Sequence, residues 1–358
     1  MNKDFEGIRV VFIGGVEHGV KCGVMDYTLK LQEELRNRNI DVYNASVDNN
    51  EIRSWKSLFS YLNLLIRIKK RGNAILHIEY PAKAYGKAIA INFVPFFARI
   101  VGINILFTSH EYSNRSFLGR LRQIPSLIFA NKIIVVDKMF EKDIKKIPFC
   151  KHKVDTICIG SNIPKSVKSD LEIQSIRKEM ISNREHLMCY FGFINEYKCF
   201  LEILDAIVLL KKDGELTSRF MVIGELREED EYQSRVLDKI KKENLVEDIV
   251  VTGYMEHGVE DYIRASDFAV LPFLYGVSVR NGSFLSAYQE NINIITTKSS
   301  GEFPYGDVYF VEKNTPVDIA KAIKKVQKLT KSDINRDTCF DWGKIAERHI
   351  QKYYDILK

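Results

Sequence analysis

Residues 269–288, AVLPFLYGVSVRNGSFLSAY, hold the densest set of groups able to do chemistry in this sequence. An apolar run ends at Pro272, a polar loop containing Gly276 follows, and a helical pattern starts at Gly282-Ser283. A helix start offers outward-pointing backbone N–H groups and the positive end of the helix dipole, and Arg280 adds a full cation beside it. The combination suits a phosphate. The alternative is an arginine facing water and a serine that only caps the helix. A second such place is the apolar run 187–191, followed by Gly192 and then by Lys198 where the next helical pattern begins. An ammonium there can reach a diphosphate together with the helix amides. A third is the first apolar run, which enters Gly14-Gly15, Gly19 and Gly23 before a helix near Val24. Glycine lets an anion approach the main chain, but the spacing is not GxGxxG, and a glycine turn also joins strand to helix in any α/β protein.

A rigid frame must hold these loops, and the apolar pattern supplies one. Short β-rich runs at 8–13, 40–44, 74–78, 103–108, 132–136 and 154–159 alternate with helical patterns. The rhythm pauses in the charged stretch 164–185 and resumes at 187–191, 219–223, 249–252, 268–271, 292–297 and 308–311. Such a βαβ rhythm predicts parallel strands covered on both faces by helices, with ligands at the strands' carboxyl ends. A chain of 358 residues exceeds what one core usually serves. The predicted fold class is therefore α/β with two doubly wound, Rossmann-like domains facing across a cleft. They span 1–165 and 166–340, and an amphipathic helix over 341–358 docks back on the first domain.

Composition narrows the functional classes. With 46% hydrophobic and 28% charged residues, this is a folding chain rather than a disordered one. The six cysteines are scattered without a CxxC pair or His/Cys cluster, which predicts reduced thiols, a cytosolic setting and no metal site. The polar start, MNKDFEG, is not a secretory leader. A net charge of +6 fits an anionic partner. No basic run exceeds Lys69-Lys70-Arg71, which argues against nucleic acid. A serine hydrolase lacks its GxSxG elbow, since the nearest match, 276–280, ends in Arg280. Stretches 55–71 and 93–100 are aromatic and apolar with basic residues, too short to span a bilayer. They suit either peripheral contact with an anionic membrane or core helices with basic ends.

The order of several motifs resembles glycosyltransferase family 4 over nearly the whole chain. These are Gly23 with Tyr27, Thr108-Ser109-His110-Glu111, Gly160-Ser161-Asn162-Ile163, Gly192 with Lys198, Gly253-Tyr254, Ala265-Ser266-Asp267, Gly282-Ser283 and Trp342 in the closing helix. The resemblance implies a GT-B fold and a retaining, metal-independent enzyme without a cofactor, the nucleotide-diphosphate-sugar being a substrate. The donor is then held mainly by the second domain, and a glycan or lipid-linked acceptor by the first. It implies catalytic roles for His110, Lys198 and Arg280. Donor contacts are implied for Gly15, Gly23, Gly192, Lys198, Gly253, Arg280, Gly282, Ser283 and Ser286. By family habit the setting is cell-surface or exopolysaccharide assembly, in the cytoplasm or at the inner face of its membrane.

Two departures stand out. Phe193 follows Gly192 where the family commonly has an arginine close by, and Ser278 and Ser286 occupy the places of its paired glutamates. Arg280, in an Arg-x-Gly-Ser arrangement known from some family members, is a candidate replacement for the missing cation. The rival expectation is a non-catalytic GT-B protein that binds nucleotide-sugar or serves as a scaffold. His18 reads equally as a site residue or a solvated loop histidine, His77 reads as packed in the core rather than catalytic, and Glu111 reads as a base, an orienting partner of His110 or a cap of the next helix.

Overall fold

The computed structural model describes residues 8–20, 22–72, 74–299, 308–329 and 338–358; the start read as lacking a leader, residues 1–7, lies outside them. The chain divides into two compact units. Unit 1 comprises residues 1–160 and 339–358, and unit 2 comprises residues 161–338.

In unit 1 strands and helices alternate as β1 (Arg9–Ile13), α1 (Gly23–Arg36), β2 (Asp41–Asn44), α2 (Leu58–Lys70), β3 (Ile75–Tyr80), α3 (Val94–Ile100), β4 (Asn104–Ser109), α4 (Phe117–Phe129), β5 (Lys132–Val135), α5 (Lys138–Ile144) and β6 (Val154–Thr156). The strands form one parallel sheet in the order β2-β1-β3-β4-β5-β6, reversing its winding between β1 and β3. One face packs Val11, Ile13, Leu76, Ile78, Ile105 and Phe107 against α2 to α4. The other turns Val10, Phe12, Ile75 and Leu106 toward α1 and the C-terminal helix.

Unit 2 runs α6 (Asp170–Ile181), β7 (His186–Phe191), α7 (Phe200–Lys212), β8 (Ser218–Ile223), α8 (Glu231–Lys242), β9 (Ile249–Val251), α9 (Val259–Ala265), β10 (Phe268–Leu271), α10 (Gly282–Gln289), β11 (Asn293–Thr297), β12 (Val308–Val311) and α11 (Pro316–Val326). Its parallel sheet has the order β12-β11-β10-β7-β8-β9, with the reversal between β7 and β10. The twelve strands among the described residues stand where the apolar runs predicted them. These runs are continuous because both faces of each sheet are covered by helices.

The division falls at Gly160/Ser161 rather than at 165/166 because residues 161–166 already belong to unit 2. Ser161 Oγ lies 2.9 Å from Ser286 Oγ, and Gln289 Nε2 donates to the carbonyls of Ile163 and Pro164 at 2.8 Å each. The backbone N–H of Ser166 donates to Glu290 Oε1 at 2.8 Å.

The final helix, α12 (Trp342–Leu357), buries Trp342, Ile345, Ala346, His349, Ile350 and Tyr353. This spacing draws one stripe along a helix, and the stripe lies on α1 and β4 of unit 1. Gly160 makes the docking possible, since a Cβ there would stand 2.5 Å from Trp342 Nε1. Overpacking of this kind costs about 1–3 kcal/mol. Gly160→Ala is therefore expected to destabilise the protein by about that energy, read as a lower denaturation midpoint. An unchanged midpoint would mean that the indole can retreat.

Candidate functional site

Where a parallel sheet reverses its winding, the loops leaving the two strands diverge and open a crevice at the carboxyl edge. In unit 2 those loops follow β7 and β10, and they contain the residues the sequence singled out. After β7 the chain turns at Gly192, whose φ of +126° favours glycine. It then forms a 3-10 turn over Glu196–Lys198 before α7. After β10 it makes the loop 272–281. Leu274 N donates to Tyr197 O at 2.9 Å and joins the two loops. Behind them Phe273 N donates to Thr297 Oγ1 at 3.0 Å, and Asn314 Nδ2 donates to Phe273 O at 2.9 Å. Gly276, at φ +83°, is pressed so closely on Lys298 that a Cβ would meet its carbonyl oxygen at 2.6 Å.

This bracing brings Lys198 and Ser283 together. Lys198 Nζ donates to Ser283 Oγ at 3.2 Å and stands 4.1 Å from the centre of the Phe273 ring. Burial lowers its pKa to about 8. Among the described residues no carboxylate forms an ion pair with it. Ser283 lies in the first turn of α10, and no described side chain caps that turn. Asn281, at the capping position, instead accepts from Ser278 N through Oδ1 at 2.6 Å. A half-buried cation and a helix start without a described side-chain cap thus share one small space, an arrangement that attracts an anion. Gly192 adjoins it, with a virtual Cβ 3.5 Å from Ser283 Cβ, and space opens beside Gly282. Arg280 belongs to the same turn, its N–H donating to Ser278 Oγ at 3.3 Å.

The remaining predicted donor residues of unit 2 lie elsewhere. Ser286 is buried, its hydroxyl bonded to Gly282 O at 2.8 Å and adjacent to Ser161. Gly253 follows the edge strand β9, where Thr252 Oγ1 accepts from Gly224 N at 3.2 Å and donates to Gly253 O at 3.0 Å. Phe273 and Gly224 escaped the sequence reading. The first looks like core, and the second is a lone glycine after a strand.

Unit 1 presents a second group on the loops that follow β1 and β4. Gly15, at φ +62°, faces Ala82 so closely that a Cβ would collide with it. Gly23 opens α1 without a side-chain cap before it. His18 is exposed, only its backbone N–H being engaged, by Asp48 at 2.6 Å. Glu111 pairs with Arg115 at 3.1 Å. His110 follows β4 and is nearly buried, with Nε2 2.7 Å from Glu79 Oε2 and the Tyr27 ring edge-on at 4.9 Å.

Sequence reading did not single out Glu79. It is fully buried, and His77 Nε2 lies 3.1 Å from its other oxygen. The available signal was His77-x-Glu79 on one strand, since alternate residues share a face. Burial alone would raise the Glu79 carboxyl, but the two histidines outweigh it and hold the pKa at about 2. Burial lowers His349 to about 3. Its Nδ1 donates to Ile345 O at 2.8 Å, which leaves Nε2 to accept from the Tyr27 hydroxyl at 3.3 Å.

Both shifts act on stability in the same direction. The unfolded chain protonates His349 below about 6.5 while the folded one resists until about 3, so stability falls as pH drops through that window. Glu79 adds its own loss between about 4.5 and 2. His349→Gln is expected to remove up to about 1.4 kcal/mol per pH unit of the wild-type slope between pH 6.5 and 4.5, measured by denaturant titration. Equal slopes would show that the ring charges without resistance.

Residues 185–328, from the start of β7 to just past α11, match the family described as glycosyl transferases group 1. No curated protein matches the chain in sequence. Among solved structures, a glycosyltransferase from Rickettsia africae superposes with a TM-score of 0.73 at 15% identity over 99% of each chain. HepE from Anabaena, in complex with UDP, gives 0.62 at 11% identity over 98% of this chain and 96% of its own. A putative UDP-N-acetylglucosamine 2-epimerase from Listeria monocytogenes gives 0.61 at 10% identity over 97% of each chain. At such identities the likeness speaks for the fold, which serves both transferases and epimerases. The chain therefore has the two-sheet α/β fold of GT-B glycosyltransferases, and its residues 185–328 match the group 1 glycosyl transferase family.

Proposed function

We propose that the protein is a retaining glycosyltransferase similar to family 4, moving a sugar from a nucleotide-diphosphate-sugar to a glycan or lipid-linked acceptor. The observation that carries this reading is Lys198, a half-buried cation that has no counter-ion among the described residues, beside the start of α10, which no described side chain caps. In this proposal the diphosphate supplies the missing negative charge, held by Lys198, the Gly282 and Ser283 amides and Arg280. As the bond between sugar C1 and the diphosphate oxygen breaks, its electron pair goes to that oxygen. Donors fixed in advance around the developing charge then lower the barrier. The acceptor hydroxyl adds to C1 on the face the diphosphate leaves, and its proton passes to the departing group. The cationic side chains and helix amides do the work of a divalent metal. Unit 1 receives the acceptor, and His110 hydrogen-bonds the transferring sugar.

The match of residues 185–328 to a transferase family supports transfer over epimerisation. One observation favours a rival, a non-catalytic nucleotide-sugar-binding protein: no carboxylate stands at Ser278 or Ser286, and the Ser286 hydroxyl is occupied internally. Donor turnover separates the two.

A lipid-linked acceptor would bring the protein to the cytoplasmic membrane surface, with a role in polysaccharide assembly. Exposed Phe93, Phe96 and Ile100 around α3, and Phe117, Leu118 and Leu121 on the adjacent α4, support this part of the proposal. Arg99 and Arg122 lie exposed among them. Among the described residues no helix is long and apolar enough to cross a membrane. Vesicles rich in phosphatidylglycerol are expected to sediment the protein and to release a Phe117→Glu/Leu121→Glu variant. Equal sedimentation would remove this surface from the proposal.

Thermal stabilisation by UDP, GDP and ADP and their sugar conjugates tests the donor site, since a ligand of the folded state raises the midpoint. One nucleotide is expected to stabilise, and Lys198→Ala to weaken it by tenfold or more, about 1.4 kcal/mol, without lowering the ligand-free midpoint. Above pH 8 the free ammonium loses its proton, so binding there should weaken with pH and take up protons, visible by calorimetry in two buffers. Undiminished affinity in Lys198→Ala would remove the centre of this reading.

A further inference from the structure

We infer that Glu79 is the positioning residue for His110, and that the C-terminal helix holds Glu79 in place through Tyr353 and His77. The inference rests on the reading that His110 meets the transferring sugar.

Strand pairing starts the argument. Glu79 on β3 stands opposite Thr108 on β4, two residues before His110, and the His110 N–H donates to Tyr80 O at 2.8 Å. The carboxylate of Glu79 can only accept, so His110 Nε2, 2.7 Å from Oε2, carries the proton. A neutral His110 is thereby fixed as one tautomer, with Nδ1 left as the acceptor for a hydroxyl.

On the opposite side of Glu79 the contact is electrostatic, since Oε1 has no hydrogen-bond partner among the described residues. His77 Nε2 lies 3.1 Å from Glu79 Oε1 and 2.7 Å from Thr108 Oγ1. A lone pair at that nitrogen would face the carboxylate, so it carries the proton. His77 Nδ1 then accepts from the Tyr353 hydroxyl of α12 at 2.7 Å. His77, Glu79 and Tyr353 are essentially without solvent exposure, which leaves this chain no water to substitute for a lost partner. A second tie runs from His349 of α12 through the Tyr27 hydroxyl to the ring that packs edge-on against His110. A carboxylate buried with two imidazoles is costly in a structural core. Its one near-surface contact, His110, follows the strand at the carboxyl edge of the sheet, where it can act on a ligand.

The test is the tautomer of His110, read by nitrogen and proton NMR on the full protein labelled at histidine. Wild type is expected to show a protonated Nε2 and an unprotonated Nδ1. Glu79→Leu should turn this into an average of both tautomers, while Glu79→Gln, whose amide oxygen accepts the same N–H, should keep it. Should Glu79→Leu not fold, Tyr353→Phe carries the test, because it leaves every direct contact of His110 intact and should still broaden the Nε2–H signal. An unaltered signal in Glu79→Leu, or in Tyr353→Phe if that variant replaces it, overturns the inference, as does Nδ1 protonation in wild type. UDP-glucose hydrolysis measured alongside should fall tenfold or more in kcat, with KM within twofold, where the tautomer is lost. A lost tautomer with unchanged turnover would leave the positioning intact and instead overturn the placing of His110 at the reaction centre.

Discussion

When the crossovers of a parallel sheet reverse their direction, the two loops at the reversal run apart and no backbone fills the gap between them. Both sheets of this protein reverse once, and the groups capable of chemistry gather at those two places. In unit 2 the gap lies between the loops after β7 and β10, where Lys198 meets the first turn of α10. In unit 1 it lies between the loops after β1 and β3, where Gly15 meets Ala82. The loop conformations follow from that constraint. In unit 2 the loops turn at Gly192 and Gly276, and the one after β10 is braced from behind by Thr297 and Asn314.

The two units treat buried charge in opposite ways. Lys198 is partly desolvated and has no counter-ion among the described residues, so its charged form is held at a cost that a bound anion would relieve. Glu79 is desolvated more completely, yet two imidazoles keep it ionised. A site that leaves its charge uncompensated is built to accept something. A site that compensates its charge internally is built to hold its own parts still. The contrast supports assigning the donor to unit 2 and the orienting histidine to unit 1.

Helices α10 and α12 each join a site to distant chain. The start of α10 opens onto Lys198, while Ser286, Gln289 and Glu290 farther along it hold residues 161–166, the first stretch of unit 2. Helix α12, the last of the chain, returns to unit 1 and places Tyr353 and His349 within the polar cluster under His110. The apolar stripe of α12 accounts for its docking. Its two polar members need partners once buried, and His77 and Tyr27 supply them.

The sequence by itself determined the α/β class, the position of all twelve strands, the amphipathic closing helix and the loops that hold Lys198, Arg280 and Ser283. Runs of apolar residues and glycine-bearing junctions are local, and local patterns survive in a one-dimensional reading. Tertiary structure alone decided which of these residues meet. Lys198 and Ser283 lie far apart in sequence and come together because β7 and β10 are neighbours in the sheet, a pairing no periodicity encodes. Ser286, eight residues after Ser278, turned inward because the second turn of α10 faces Ser161. Glu79 looked like one charged residue in an apolar strand. Its role became visible only when β4 brought His110 and the end of the chain brought Tyr353 to the same buried cluster, since a carboxylate's function is set by the donors around it.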